Sequence, residues 1–172
     1  MPVRCFDTGK KESAYTRVYR LGFNLFPAYH CSGGKVEFIA ADWKEIHVSV
    51  KLKLKTRNYV GTVFGGSSFG ALDPMYMIML IKVLGPDYVV WDKAASIKFI
   101  RPVSKKVCAR FRVDDALITK IIETMARDKE MTLSLPVWFE DKAGKKYVEM
   151  HKTLYIADKT FYKEKRKKKS GA

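Results

Sequence analysis

The sequence of 172 residues predicts an α+β fold, in which a curved antiparallel sheet of about six strands wraps one long central helix. Six segments alternate apolar and polar side chains with the period of a β-strand. One segment in the middle of the chain is instead apolar on nearly every side, so a sheet or another protein must enclose it. An antiparallel sheet curled around this helix meets that requirement. An extra N-terminal helix and one helix packed outside the sheet complete the expected architecture.

The composition agrees with one globular domain. Hydrophobic residues make up 47% of the chain and aromatic residues 13%, which is enough for a packed core. We expect this domain at 35–158, preceded by a flanking helix and linker at 1–34. The basic tail at 159–172 has no apolar periodicity, which favours a disordered segment.

The formal net charge of +15, from 33 basic and 18 acidic residues, favours a polyanionic partner. Nucleic acid, an anionic membrane and a phosphorylated ligand such as coenzyme A all fit this charge. Stacking aromatics interleaved with basic residues, as in ribonucleoproteins, are missing, so nucleic acid is the least favoured. The longest apolar run, Met75 to Ile81, is far shorter than the roughly 20 residues of a membrane span, and no signal-peptide pattern opens the sequence. We therefore expect an intracellular, cytoplasmic protein without a membrane span.

The N-terminal elements follow from apolar spacing and glycine breaks. A helix is expected over Glu12 to Tyr29, with Pro27 close to its end. Gly33 and Gly34 break the chain before a short strand, Val36 to Ala40.

The second strand has the clearest alternation in the sequence. Its apolar positions are Ile46, Val48, Val50, Leu52 and Leu54. One face is predicted to be buried and the other, which carries His47, to face water.

The central helix is predicted over Ser67 to Leu84. Asp73 directly precedes Pro74, which leaves two alternatives. Asp73 could cap a helix that begins there. Otherwise the helix begins near Gly66 and is kinked at Pro74, with Gly70 four residues earlier easing the clash with the proline ring.

Four more strands and one amphipathic helix follow the central helix. The strands are expected at Tyr88–Val103, Val107–Val113, Met131–Phe139 and Tyr147–Ile156, and the helix at Asp114–Ala126. Pro136 indicates that the third of these strands lies at a sheet edge or carries a bulge. The apolar stripe of the helix must pack against the outside of the sheet.

A candidate site lies in the glycine-rich turn that leads into the central helix. Gly65 and Gly66 let the backbone approach a substrate, and free N–H groups at a helix N-terminus can stabilise an oxyanion. Asp73 is the only acid between positions 46 and 86, so in this segment it alone could act as nucleophile or general base. Structural roles remain open for each of them: a tight turn for the glycines, a helix cap for Asp73 and a turn-forming role for Asn58.

The spacing of these residues resembles a motif of the hotdog fold, in its phenylacetyl-CoA thioesterase type. That motif is an Asn, then Gly-Thr-x-His-Gly-Gly, then an acid nine residues after the His. Here Asn58, Gly61-Thr62, Gly65-Gly66 and Asp73 stand at matching positions. Phe64 stands where the family has its histidine, which is a clear departure.

The resemblance covers Val36 to Ile156 and is strongest to a poorly characterised, thioesterase-like branch of that superfamily. It implies that Asp73 activates water or attacks an acyl-CoA thioester, that the amides of Gly65 and Gly66 hold the oxyanion, and that Asn58 orients the water or the carbonyl. It also implies a homodimer, which could pair into a tetramer, because the acid and the donors come from different protomers.

Further side chains are candidates for substrate contacts. The set is Phe64, Thr62, Ser67, Lys93 and Arg101. Lys93 could pair with Asp73 or attract a phosphate, the alternative being an ordinary ion pair with Asp92 at the strand edge. The phosphates of coenzyme A could contact the basic residues of the loops, with solvated charge as the default for each of them: Arg57, Arg101, Lys105 and Lys106.

The sequence therefore predicts an acyl-CoA thioesterase, with a non-catalytic acyl-CoA or lipid-binding protein as the alternative. The second is favoured by Phe64, whose ring has no polar atom. No metal or cofactor is expected, because the histidines are scattered. The cysteines are expected to be reduced thiols, because Cys5, Cys31 and Cys108 form no closely spaced pair.

Overall fold

The computed structural model of the protein describes residues 5–170 as six strands, six α-helices and one 3₁₀ turn. The strands are β1 (Lys35–Ile39), β2 (Glu45–Val50), β3 (Tyr88–Phe99), β4 (Val107–Arg112), β5 (Glu130–Glu140) and β6 (Lys146–Asp158). The helices are α1 (Ala14–Leu25), α2 (Pro27–Ser32), α3 (Gly65–Leu72), α4 (Met75–Leu84), α5 (Asp115–Asp128) and α6 (Lys159–Ser170). The 3₁₀ turn is Leu54–Thr56.

The strands form one antiparallel sheet in the order β1-β2-β4-β5-β6-β3. The predicted sequence of elements is confirmed: two strands, the central helix, two strands, a helix and two strands. Alternate side chains of the strands join the buried residues of α3 and α4 in one core, as the examples Val48, Phe111, Met150, Leu72 and Met79 illustrate.

The central helix begins at Gly65 and passes through Asp73 with a break at Pro74. Asp73 has right-handed helical backbone angles, and its N–H donates to the carbonyl of Phe69 at 2.9 Å. Asp73 is therefore not the N-cap of a helix that starts there, and α4 begins without a side-chain cap. Of the two alternatives, the helix interrupted at Pro74 is confirmed. By length and composition Gly65–Leu84 would also suit a membrane span, which is weak evidence because it is packed in the core.

Strand β2 is buried on both faces, so the prediction of a water-exposed face was wrong. His47 is fully buried, because the ring of Phe6 from the N-terminal segment lies 5.1 Å from its ring and Phe38 covers it from β1. The strand also ends at Val50, before the predicted alternation does. Thr56 Oγ donates to the carbonyl of Lys51 at 2.9 Å and turns the chain out of the sheet.

The same N-terminal segment is joined to β4 by a disulfide, so the prediction of three free thiols was wrong. Cys5 and Cys108 are bonded, with their Cα atoms 5.8 Å apart. They lie 103 residues apart in sequence, so their spacing could not reveal the pair. Cys31 is free and exposed.

The segments before β1 and after β6 differ from the prediction. Pro27 starts the separate helix α2 instead of ending the first helix, because proline fits the first turn of a helix. The tail, expected to be disordered over 159–172, forms α6 up to Ser170, and positions 171 and 172 lie outside the described residues. The first turn of α6 is capped by Asp158, whose carboxylate accepts from the N–H groups of Thr160 and Phe161 at 2.9 Å each.

Pro136 does not lie in an edge strand, because β5 runs between β4 and β6. Strand β5 nevertheless shares only one residue pair with β4, Cys108 with Glu140. Most of that side of β5 is therefore unpaired, and an interior strand can accommodate a proline there.

Candidate active site

The turn that precedes α3 is closed by the side chain of Asn58. Its Oδ1 accepts from the N–H of Thr62 at 2.9 Å, and its Nδ2 donates to Thr62 Oγ1 at 2.9 Å. Gly61 has a φ of +83°, which favours glycine, and its N–H donates to the carbonyl of Asn58. Asn58 is thus a turn-forming residue here, and Thr62 is its partner.

The first two residues of α3, Gly65 and Gly66, supply backbone donors. Phe64 occupies the N-cap without a side-chain hydrogen bond, and among the described residues no acceptor takes the N–H of Gly65 or Gly66. A Cβ on Gly65 would lie 2.9 Å from the ring of Phe99, and one on Gly66 would lie 2.4 Å from the ring of Phe64. Glycine thus leaves room for two aromatic rings, each more than half exposed, that flank the free amides, and a side chain at either position would displace a ring.

A cavity of about 380 Å³ opens at this helix N-terminus. It brings together four of the predicted site residues: Asn58, Thr62, Gly65 and Arg101. Arg101 is exposed and donates to the carbonyl of Lys146 at 2.6 Å. Ser67 is buried and does not line the cavity, whereas its neighbour Ser68 does.

Asp73 lies in a different cluster, built around a lysine on the inner face of the sheet. Lys152 of β6 is 4% exposed at its side chain, and its Nζ donates to Asp73 Oδ1. The same Nζ lies 3.2 Å from Asp92 Oδ2 on β3. Asp73 retains 38% of its side-chain exposure, so this carboxylate is held by a buried cation and still reachable.

The physical logic of this cluster is charge compensation. A buried ammonium is costly unless paired, and two carboxylates here satisfy one lysine. Burial raises the pKa of the Asp92 carboxyl, and the Lys152 charge opposes that rise. The group of three carries a net negative charge when all its members are ionised.

The expected contact of Lys93 with Asp73 was wrong, as was its ion pair with Asp92. Lys93 sits at an irregularity of β3, and its Nζ lies 3.4 Å from Thr132 Oγ1. Asp92 instead forms its ion pair with Lys152.

The basic loop residues behave mostly as surface charges. Lys105 pairs with Asp141 at 2.7 Å, and Lys106 pairs with Glu37 at 2.8 Å. The side chain of Arg57 is exposed, and its backbone forms an isolated antiparallel β-bridge with Val63 at the base of the turn.

Sequence reasoning missed Lys152, although a signal was present. It is a charged residue in an alternating strand, at a position that shares the buried face with apolar neighbours. The other members of that face are Val148, Met150, Leu154 and Ile156. A lysine in such a row requires a buried partner.

The two halves of the predicted site are separated along one helix. From Gly65 to Asp73 there are eight helical steps, or about 12 Å at 1.5 Å per residue. An oxyanion donor and a nucleophile must both come within about 3 Å of the reacting group. One chain alone therefore does not join Asp73 to its own Gly65 and Gly66. Within residues 5–170 no group of three or more metal-ligating side chains is present.

Solved structures with the same fold include thioesterases. A protein of unknown function from Pseudomonas aeruginosa is 16% identical, with a TM-score of 0.73 over 87% of this chain and 99% of its own. A thioesterase from Haemophilus influenzae is 16% identical, with a TM-score of 0.59 over 87% and 94%. Thioesterase superfamily member 2 from Mus musculus is 14% identical, with a TM-score of 0.60 over 83% and 98%. Comparison with curated proteins found no match.

These similarities establish the hotdog fold, as the sequence predicted. A family model, described as a domain of unknown function (DUF4442), matches residues 21–156, which is most of the chain. The chain therefore belongs to the DUF4442 family, and it has the hotdog fold.

Proposed function

We propose that the protein hydrolyses an acyl thioester, such as an acyl-CoA, at a site shared by two copies of the chain. The observation that carries this proposal is the Asp73 carboxylate, which is 38% exposed and held by the buried Lys152 in a chain with the fold of thioesterases. Asp73 has no oxyanion donor within its own helix turn, so the second copy must supply one.

Strand β3 offers the surface for that second copy. It is twelve residues long, lies at the sheet edge and pairs only with β6 among the described strands. Trp91 and Phe99 are more than half exposed along it. A long, unprotected edge of this kind pairs readily with an identical strand.

Antiparallel pairing of two β3 strands would join the halves of the site. Asp92, bound through Lys152 to Asp73, lies in the first half of β3, and Phe99, whose ring lies against Gly65, is its last residue. A two-fold axis between Ala95 and Ser96 places position 92 of one strand opposite position 99 of its partner. Asp73 of one protomer would then face the free Gly65 and Gly66 amides of the other.

At such a site the chemistry needs no further group. Asp73 removes a proton from water, whose oxygen adds to the thioester carbonyl carbon, and the amides of Gly65 and Gly66 stabilise the oxyanion. Collapse of this intermediate breaks the carbon–sulfur bond, and the proton held by Asp73 passes to the thiolate. Direct attack by Asp73 through an anhydride, which water then cleaves, uses the same residues.

The remaining residues of the motif have supporting roles in this proposal. Asn58 and Thr62 fix the turn that presents the amides. Phe64 provides an apolar contact for the acyl group where the family has a histidine.

The direct test is release of free thiol from short, medium, long and aromatic acyl-CoAs. The native chain is expected to turn over at least one of them, and Asp73→Asn to lose at least about a hundredfold in kcat. Asp87→Asn, a matched change at an exposed aspartate outside the site, is the control. Full activity of Asp73→Asn would exclude the assigned role of this carboxylate.

A second function, binding of an acyl-CoA or lipid without hydrolysis, is favoured by Phe64 and by the ion pair that already occupies Asp73. Saturable binding of an acyl-CoA with no thiol released from any substrate would establish it in place of the hydrolase.

A further inference from the structure

The C-terminal helix builds a cleft that no part of the proposed reaction uses. A cavity of about 440 Å³ lies between the outer face of β3 and β6 and the helix α6. Its lining consists of Trp91, Asp92, Lys93, Tyr155, Tyr162, Lys165 and Arg166. Its volume lies within the range of roughly 300–1,000 Å³ found for small-ligand sites.

The floor and one wall of this cleft are aromatic. Trp91 stands opposite Tyr155 in the register of β3 and β6, and Trp91 is 53% exposed. Tyr162 of α6 packs against Tyr155, with the ring centroids 6.2 Å apart. An exposed indole in a row of aromatic rings is a surface on which a planar heterocycle can stack.

The other wall is cationic. Lys165 pairs with Glu130, at 2.6 Å from its Oε1, and Asp92 shares Lys152 with Asp73. Lys93 has a long contact to Thr132 and an electrostatic attraction to Glu130, whereas among the described residues no acceptor is found for the guanidinium of Arg166. Lys93 of β3 and Arg166 of α6 thus place two positive charges beside the aromatic floor, and Arg166 has basic neighbours along its helix.

We infer that this cleft binds an adenine nucleotide, with the base stacked on Trp91 and the phosphates held by Lys93 and Arg166. Aromatic stacking combined with nearby cations, of which Arg166 has no acceptor among the described residues, is the chemistry that recognises a phosphorylated purine. The family model ends at residue 156, so all of α6, including Tyr162, Lys165 and Arg166 of the cleft, lies beyond the family match.

The nucleotide could be the adenosine bisphosphate end of coenzyme A or a free adenine nucleotide. Only the first assignment rests on the proposed function. Trp91 directly precedes Asp92 of the Asp73 cluster, and pairing of β3 over positions 92–99 leaves Tyr88–Trp91 outside the pairing. The pantetheine arm of coenzyme A could pass beside Tyr88–Trp91, from the cleft to the inner face of the sheet.

The test is titration of the full chain with adenosine 3′,5′-bisphosphate, followed by calorimetry and by tryptophan fluorescence. Saturable binding with quenching is expected, weakening as salt rises. Trp91→Ala and Arg166→Ala should each weaken binding about tenfold or more. Trp138→Ala and Lys168→Ala remove an indole and a cation outside the cleft and should leave the affinity unchanged.

Two further titrations identify the source of the nucleotide. If coenzyme A supplies it, Arg166→Ala raises the KM for acyl-CoA with kcat unchanged, and acyl-CoA competes with the bisphosphate. If a free nucleotide is bound, ADP binds as tightly as the bisphosphate and the KM does not change. Absence of saturable binding, or binding that survives both cleft variants, overturns the inference, whether or not the protein hydrolyses thioesters.

Discussion

Lys152 is the residue on which the proposed site depends most. Its neighbours on the inner face of β6 are apolar, so an unpaired ammonium there would be strongly destabilising. Asp73 and Asp92 supply the pairing, and Asp73 remains partly open to solvent. The lysine therefore acts through Asp73, as a positioning residue that holds the carboxylate in place.

Substitution of this lysine should lower the rate of the reaction through the position of Asp73. Lys152→Met preserves length and removes the group that holds the Asp73 carboxylate. We expect kcat for thiol release to fall at least about tenfold with KM unchanged, because a misplaced catalytic group slows the chemical step. Lys152→Arg, which keeps the charge, should recover part of the native kcat. A native kcat in a folded Lys152→Met variant would assign the lysine a structural role only.

The ion pairs of Glu37 should stabilise the fold in a way that depends on pH. Burial raises the pKa of its carboxyl, but hydrogen bonds from Lys106, Ser49 and Lys35 outweigh this and lower the pKa from 4.5 to about 2. A lowered pKa means that the stabilisation is present above pH 4.5 and is lost as the pH falls towards 2. Its size is on the order of 3 kcal/mol.

Unfolding in denaturant at several pH values measures this contribution. Between pH 5 and pH 2 the free energy of unfolding of Glu37→Gln should fall less steeply than that of the native chain. Equal slopes would show that these ion pairs do not stabilise the fold in solution.

At the level of secondary structure, β3 is the element that decides whether a complete site exists. It presents an unpaired edge. Its Asp92 lies next to the Asp73 cluster, and its Phe99 lies next to Gly65. Dimer formation and catalysis should therefore fail together when this edge is blocked.

Ser96→Lys tests that coupling. Ser96 is exposed near the proposed two-fold axis, so a lysine there would meet its own copy and oppose pairing by charge repulsion. We expect light scattering to detect a monomer and thiol release to fall at least about tenfold. Ser134→Lys, on the exposed face of the interior strand β5, should remain dimeric and active. A Ser96→Lys dimer with native activity would place the interface elsewhere.

For the whole molecule, local periodicity predicted the element order and a sheet wrapped around one helix, because most strands and helices bury one regular stripe, and the resemblance of the motif to a known family supplied the hotdog fold. The break at Pro74 was also predictable, as one of two alternatives. Contacts between segments that are distant in sequence were not predictable. The burial of His47 depends on Phe6, and the Cys5–Cys108 disulfide joins residues 103 positions apart.

The site was predictable to a similar degree. The spacing singled out Asp73, Gly65 and Gly66 as candidates, but it did not indicate Lys152 as the partner of Asp73, for which Lys93 was one of the possibilities. Pairing across the sheet depends on strand order and on which face a side chain occupies. Lys152 lies 79 residues from Asp73 and joins it only when β6 lies beside β3.

The central claim, that two protomers share each site, is tested most directly by mixing two inactive variants. Asp73→Asn lacks the carboxylate, and Gly65→Pro lacks an oxyanion donor at a helix position that tolerates proline. In a random mixture half of the dimers are mixed, and each mixed dimer holds one intact site. If two protomers share each site, about one quarter of the native rate of thiol release is recovered after subunit exchange. A mixture as inactive as its parents, with mixed dimers verified by mass, would contradict it.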